Sequence, residues 1–343
     1  MHPMEKRRLG KIGITVSSIG LGTMTFGIQA DKEESYRIMD AAVEGGVNFF
    51  DTAEIYPVPP SKKLTGITED WIGDWMQDKS INRDSLIIAT KIAGPAHGWF
   101  NPPVRDGNAA IDGFQIRRAL EGSLRRLKTD YIDLYQIHWP DTGMRALDAL
   151  ETLDALIREG KIRSYGLSND TCYGMMKWLS EADAARLRRA DTIQNNFSIN
   201  NRRFEDELST ACLAEGVSCL PYSPLAGGVL TGKYNDGAKP AGARFTSYLN
   251  GAERQKRMAG RFINERAISN TKAIMAIAER EGIDPISFAI AWSKQHEFVA
   301  STLIGVSSLA QLPAHLAAAD ITISANVMVE IDNLTTENLY PMG

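Results

Sequence analysis

The sequence predicts an α/β protein, a single (β/α)8 TIM barrel with an N-terminal β-hairpin and C-terminal closing helices. Three observations predict it. Short apolar segments alternate with amphipathic helical ones along the whole chain, the pattern of parallel strands covered on both faces. Eight such strand–helix units follow one another without a linker or a shift in composition. At 343 residues the chain has a size that one closed barrel commonly reaches, so residues 1–343 are read as one domain.

Taken in order, Arg7 to Ser17, with Gly10 and Gly13 between short apolar pieces, reads as the hairpin. Ser18–Thr23 is the first barrel strand, and the helix from about Glu33 to Glu44 stops at Gly45-Gly46. The strand Asn48–Thr52 leads into a proline-rich loop from Tyr56 to Thr68. Thr68 is placed as the cap of a helix through Met76. Leu86–Ile92 is a strand, followed by a long Gly/Pro loop to about Asp112. In the helix Phe114–Lys128, Ile116, Leu120, Leu124 and Leu127 form one apolar stripe. The strand Tyr131–Pro140, helix Arg145–Glu159, strand Lys161–Leu167 and helix Tyr173–Ala182 continue the alternation. So do the strand Asp191–Gln194, the helix Glu205–Gly216 and the strand Val217–Tyr222. A Gly-rich loop of about thirty residues then runs past Arg244, far above the usual connection length. Helices Ile268–Glu281 and Pro285–Gln295, the strand Val299–Ile304, and closing helices Ser308–Ala319 and Val327–Leu334 complete the chain.

Composition narrows the function. With 43% hydrophobic and 23% charged residues, this is the profile of a globular chain with an ample core. A net charge of -4 argues against nucleic acid and against anionic membrane surfaces as partners. The three cysteines (Cys172, Cys212, Cys219) offer no disulfide framework, and the five scattered histidines no zinc spacing. No metal is expected. Met1 to Arg8 is basic, but Leu9-Gly10-Lys11-Ile12-Gly13 is no signal-peptide core, and no apolar run approaches membrane-spanning length. The expectation is a cytoplasmic protein.

Three successive strands end in ionisable residues, at Asp51, Lys91 and His138, and Tyr56 stands in the loop just past the first. Period-two alternation puts Phe49 and Asp51 on one face with Ile87, Ala89 and Lys91, and with Leu134, Gln136 and His138. In a barrel of this kind the chemistry lies at the C-terminal ends of the strands. A charge ending a buried strand also needs a partner, which pairs Asp51 with Lys91. Each residue has a plain alternative: Tyr56 as a loop aromatic on Pro57 and Pro59, Asp51 and Lys91 as a structural ion pair, His138 as a packed core histidine. Their joint placement on one rim favours an active site. Glu54 and Trp139 either line its pocket or pack.

Several stretches carry a resemblance: Gly22-Thr23-Met24-Thr25-Phe26-Gly27, Ala53-Glu54-Ile55-Tyr56-Pro57-Val58-Pro59-Pro60, Leu134-Tyr135-Gln136-Ile137-His138-Trp139-Pro140, Leu230-Thr231-Gly232-Lys233-Tyr234, and Gly237 to Arg244. Through them the chain resembles the aldo-keto reductases over nearly its full length, and is most similar to the bacterial Tas-type reductases. The resemblance implies Tyr56 as proton donor, Lys91 as the cation that lowers its pKa, Asp51 as the counter-ion of Lys91, and His138 as the group orienting a carbonyl. Those roles suit hydride addition, in which charge builds on the carbonyl oxygen and a proton must arrive as it builds. The expected substrate is a small-molecule aldehyde or ketone.

No Gly-x-Gly-x-x-Gly opens a helix after a strand, so a Rossmann site is disfavoured. The resemblance instead implies NADP(H) lying extended across the barrel mouth, with Thr23 and Met24 among its contacts. Ser168, Asn169 and Gln194 would hold the carboxamide and Tyr222 would stack on the nicotinamide. Ser223, Pro224, Leu225 and the run from Gly227 and Gly228 to Lys233 would wrap the pyrophosphate, with Arg244 a further cation in that loop. Gly305, Ser307 and Gln311 would hold the adenosine end. Small residues suit such a loop, because backbone amides approach phosphate only where side chains are absent.

Some positions depart from the pattern. Many relatives carry Glu-Asn shortly after the adenosine-side glutamine, where this chain has Ala314 and His315. His315 either replaces the lost hydrogen bond or is a surface residue, and the surface is expected. Arg117, Arg118, Arg125, Arg126, Arg188 and Arg189 are read as solvated helix faces. The alternative function is a redox-sensing regulatory subunit, because the potassium-channel β subunits resemble the same family. The lack of a long N-terminal extension that could plug a pore is expected to favour the reductase.

Overall fold

The structure, a computed structural model, describes residues 4–96 and 101–342. Part of the Gly/Pro loop expected before Asp112 lies outside those residues, as does the start of the basic N-terminal segment.

The hairpin pairs β1 (Lys6–Arg8) with β2 (Thr15–Ser17) antiparallel. Eight parallel strands follow: β3 (Ile19–Gly22), β4 (Phe49–Asp51), β5 (Ile87–Ile92), β6 (Ile132–Ile137), β7 (Ile162–Ser168), β8 (Thr192–Gln194), β9 (Ser218–Cys219) and β10 (Thr302–Ile304). Each pairs with its neighbour in sequence, and β10 returns to pair with β3. The ring closes between β9 and β10 through backbone bonds at their flanks. Cys219 N–H donates to Phe298 O (2.8 Å), Ala300 N–H to Cys219 O (3.0 Å), and Leu303 N–H to Pro221 O (2.8 Å). The barrel expected from the alternation is the barrel observed.

Alternation along the strands builds two apolar layers. Phe49, Ile87, Ala89, Leu134, Leu220 and Leu303 point inward and pack on Leu9, Ile14 and Val16 of the hairpin segment, which fills the floor of the barrel. Phe50, Ile88, Ile92, Tyr135, Ile137, Tyr165, Leu167 and Ile193 point outward against the helices. Gly20 lies within β3, where a Cβ would stand 2.8 Å from Phe49 and from Leu303. It is a packing glycine of the barrel interior.

The helices between strands are α1 (Lys32–Glu44), α2 (Ile67–Asp78), α3 (Gly113–Leu127), α4 (Ala146–Arg158), α5 (Cys172–Ala185) and α6 (Leu208–Glu215). Asp31, Asp112 and Thr171 cap α1, α3 and α5 with their side chains. Thr68 is not the cap of α2. That helix begins after Gly66, held at φ 89°, and the Thr68 hydroxyl donates instead to Phe26 O at 2.9 Å. The long connection after β9 is more ordered than its composition suggests, containing α7 (Arg244–Leu249) and α8 (Glu253–Phe262). Then come α9 (Glu265–Arg280), α10 (Pro285–Lys294), α11 (Leu312–Ala317) and α12 (Ala325–Glu337). Arg126 also departs from expectation, since its guanidinium bonds the fully buried Glu69 carboxylate at 2.7 Å between α2 and α3. Among the described residues no single helix is long and apolar enough to cross a membrane.

Candidate active site

Strands β4, β5 and β6 bring the ionisable residues together at their C-terminal ends. The register sets Asp51 beside Ala89 and Lys91 beside Gln136, and His138 follows directly on β6. Lys91 is wholly buried, and its Nζ donates to Asp51 Oδ2 (2.5 Å), to Thr52 O (2.7 Å) and to the Tyr56 hydroxyl (3.4 Å). The other Asp51 oxygen accepts from Gln136 Nε2 (3.1 Å) and Gln194 Nε2 (2.8 Å). The carboxylate and ammonium thus lie below the rim, inside the barrel mouth, with Asp51 only 3% exposed.

Tyr56 is set by its loop. Its N–H donates to Ala53 O at 3.0 Å, its carbonyl accepts from Gly66 N at 3.0 Å, and its ring packs on Ala53, Ile55, Ala93 and Val104. His138 meets that ring edge-on, with centroids 5.7 Å apart and planes at 78°. Trp139 stacks on His138 at 3.7 Å and fixes the imidazole plane. The His138 Nδ1 is buried and has no hydrogen-bond partner among the described residues.

Burial governs the protonation states. It pushes the Tyr56 phenol well above its ordinary value, the Asp51 charge adds to the rise, and the Arg244 charge opposes it. The lowering by Lys91 that the resemblance implies does not outweigh this burial in this structure. Burial lowers the Lys91 ammonium, against the raising effect of Asp51. His138 lies well below the usual histidine range through burial and the Lys91 charge, so its imidazole is neutral at neutral pH. The site holds a protonated phenol next to a buried ammonium and a neutral imidazole.

The residues expected at a cofactor border this centre. Thr23, fully buried, donates its hydroxyl to Asp51 O at 2.9 Å, while Met24 packs half-buried near Tyr56. Ser168, at the end of β7, donates to Gln194 O at 2.8 Å. Asn169, in the left-handed region at φ 55°, donates to His138 O (2.9 Å) and accepts the Tyr222 hydroxyl (2.6 Å). Gln194 is committed to Asp51 through its amide nitrogen. Ser223, Pro224 and Leu225 lead into a tight turn, with Ser223 at φ 55°, Gly227 at 65° and Gly228 at 94°. Lys233 follows that turn, and Arg244 opens α7 over the rings of Phe245 and Tyr248. Across the mouth, Gly305 has no atom within 4 Å of where a Cβ would stand, and Gln311 Oε1 accepts from Ser307 N at 2.9 Å. An extended anionic dinucleotide fits these features. Open backbone stands at Gly305, a turn that only small residues follow at Gly227-Gly228, and the buried Arg244 Nε lacks a partner among the described residues.

His315 is not on the surface. It is 4% exposed, and its Nδ1 lies 2.7 Å from Gln311 O, bracing the residue that holds the Ser307 amide. Gln136 has a place in the centre that no role foresaw, although its inward register was legible from alternation. Arg105, paired with Glu54 beside Tyr56, left no sequence signal.

Comparison with known proteins agrees with this geometry. The model of the Aldo/keto reductase family matches residues 18–336. The chain is 40% identical to "Protein tas" of Escherichia coli (strain K12), over 98% of this chain and 99% of that one. It is 31% identical to "Uncharacterized oxidoreductase YrpG" of Bacillus subtilis (strain 168), over 96% of both chains. It is also 29% identical to "Probable voltage-gated potassium channel subunit beta" of Arabidopsis thaliana, over 93% of this chain and 92% of that one. With its strand-end residues gathered in one barrel mouth and a family match spanning nearly the whole sequence, the chain belongs to the aldo/keto reductase family of oxidoreductases.

Proposed function

We propose that the protein is an NADP(H)-dependent oxidoreductase that reduces aldehyde or ketone carbonyls to alcohols, with Tyr56 as proton donor. The observation that carries this reading is the Lys91 Nζ held between Asp51 Oδ2 at 2.5 Å and the Tyr56 hydroxyl at 3.4 Å. When bound, the reduced nicotinamide supplies the hydride. The protein's own residues do the rest. Tyr56, protonated across neutral pH, delivers its proton to the carbonyl oxygen as charge builds there, and Lys91 stabilises the tyrosinate that forms. Asp51, held by the amides of Gln136 and Gln194, keeps the ammonium in place. His138, neutral and fixed by Trp139, orients the carbonyl. Ser168, Asn169, Tyr222 and the Ser223–Lys233 turn are suited to hold the cofactor, with Ser307 and Gln311 at its adenosine end.

A panel of aldehydes and ketones with NADPH, followed at the cofactor's absorbance, tests the reading. Multiple turnovers are expected, and their absence with every carbonyl would overturn it. The channel β-subunit relatives favour a second reading, a redox-sensing regulatory subunit built on the same site. That reading expects tight cofactor binding with at most slow turnover.

A further inference from the structure

Beside the proton donor lies a buried ion pair to which the reaction outlined above gives no role. Glu54, 4% exposed, stands two residues before Tyr56, and its Oε1 accepts from Ala93 N at 2.6 Å and from Arg105 Nη1. Arg105 spends its other donors on the same loop, Nη2 on Ala93 O (3.0 Å) and Nε on Asn108 O (3.1 Å). Arg105 and Asp106 both occupy the left-handed region, at φ 46° and 58°, a conformation that persists only where the surroundings impose it. The residue before them, Val104, is buried against Tyr56, Ala53, Ile55 and Ala93, and the half-buried Met24, Val58 and Trp139 complete that cluster. Glu54's charge is answered by Arg105, and among the described residues the cluster packed around Tyr56 on this side is otherwise apolar.

We propose that Arg105 is a positioning residue: through its pair with Glu54 it fixes Val104 and the apolar wall beside Tyr56, and this wall selects uncharged carbonyl substrates with apolar or aromatic substituents. The inference rests on the reductase reading and names its substrate class. Against the described residues of that cluster a charged substituent would lose hydration without gaining an ionic partner. Arg105 meets Glu54 and both ends of the loop with one planar fork, so a lysine could replace only part of it.

A pH signature separates this role from plain stabilisation. Glu54 is pushed up by burial and held down by Arg105, and its other charged or titratable neighbours among the described residues are Glu69 of α2, paired with Arg126 of α3, and Tyr135 of β6. Without Arg105 the Glu54 pKa rises further. In such a variant the wall, already without its clamp, would loosen further as pH rises through that value and a bare carboxylate appears in it.

The experiment compares wild type, Arg105→Lys, Arg105→Met and the double variant Glu54→Gln/Arg105→Met. Benzaldehyde and propanal are the substrates. Binding of benzaldehyde to the NADP+ complex, which has no hydride to give, is measured by calorimetry. Arg105→Met should raise the benzaldehyde KM and dissociation constant on the order of 10- to 100-fold, with Arg105→Lys between it and wild type. Propanal should suffer less, and NADPH affinity should not change. Arg105→Met should also lose benzaldehyde binding with rising pH, and the double variant should abolish that pH dependence while keeping the raised KM. If Arg105→Met fails to fold, the double variant, which leaves no buried charge alone, carries the test. Wild-type benzaldehyde affinity in a folded Arg105→Met or double variant would overturn the proposal, as would a wild type that binds no benzaldehyde. A wild type that binds benzaldehyde without reducing any carbonyl would overturn the reductase reading and leave the clamp standing.

Discussion

The Lys91 ammonium stands 3.4 Å from the Tyr56 hydroxyl but only 2.5 Å from Asp51 Oδ2, so the carboxylate holds it far more firmly than the phenol does. In the proposed reaction the looser contact is the one that must strengthen when the phenol gives up its proton. Removing the hydroxyl therefore removes a donor without disturbing the pair beneath it. Tyr56→Phe should fold and bind cofactor as wild type does, and should reduce carbonyls slower by about 10²–10⁴-fold. Steady-state rates within a few-fold of wild type, on folded protein, would remove Tyr56 from the role.

The pair itself makes an asymmetric prediction. Lys91→Met takes away the charge that stabilises the tyrosinate and should nearly abolish turnover. Asp51→Asn leaves the ammonium, still bonded to Thr52 O, and should cost less in kcat. Both variants need a melting curve beside the kinetics, because each leaves one buried partner unmatched. An Asp51→Asn enzyme far worse in kcat than Lys91→Met would reverse the roles.

The pH profile follows from the shifts. Tyr56 lies above its ordinary value and keeps its proton throughout the neutral range, while His138 lies below its own and stays neutral there. The ammonium of Lys91 is lowered and is lost as pH rises, so the rate should fall as the pH is raised. Asp51 raises both the Lys91 and the Tyr56 values. Its neutralisation in Asp51→Asn should move the alkaline limb of kcat/KM to lower pH. A limb that stayed in place, or moved up, would contradict the electrostatics described.

Cofactor preference turns on the cations around the mouth. The charge of Arg244 is felt at Tyr56 and Tyr222, whereas Ser307 stands across the mouth with Gln311. The expectation is NADPH over NADH. Hydrogen bonds to a charged group contribute about 1.5–3 kcal/mol, so Arg244→Ala or Ser307→Ala should weaken NADPH on the order of 10- to 100-fold more than NADH if it reads the 2′-phosphate. Dissociation constants for both cofactors decide it. Equal wild-type affinities would defeat the preference, and equal losses in a variant would assign that residue to the shared phosphates.

One prediction concerns packing alone. A Cβ on Gly73 of α2 would stand 2.3 Å from Arg126 O and 2.8 Å from Leu127 C, both backbone atoms of α3. Gly73→Ala should force the helices apart and destabilise by about 1–3 kcal/mol, lowering the urea midpoint at unchanged slope. An unchanged midpoint would show that α2 and α3 separate freely.

What the sequence made legible follows from periodicity. Asp51, Lys91, Gln136 and His138 share an inward face because side chains alternate along a strand, and that survives without any tertiary knowledge. The helices α7 and α8 were invisible for the opposite reason. α7 buries only Phe245 and α8 only Ala259 and Phe262, so each is short of the apolar residues that single out a core helix. The strand expected over Val217–Tyr222 shrank to Ser218–Cys219, with Pro221, which has no N–H, just beyond it. Arg105 pairs with a residue 51 positions away through two irregular loops, a contact that no local pattern encodes. His315 was expected at the surface, but α11 turns it inward onto Gln311.

The hairpin has a consequence for traffic. Leu9, Ile14 and Val16 close the barrel from below, and the inward layer of Phe49, Ile87, Leu134 and Leu303 fills the space between that floor and Asp51. The chamber around Tyr56 is therefore a cul-de-sac. In the reaction proposed above, whatever binds deeper would arrive first and leave last, through the one end left open.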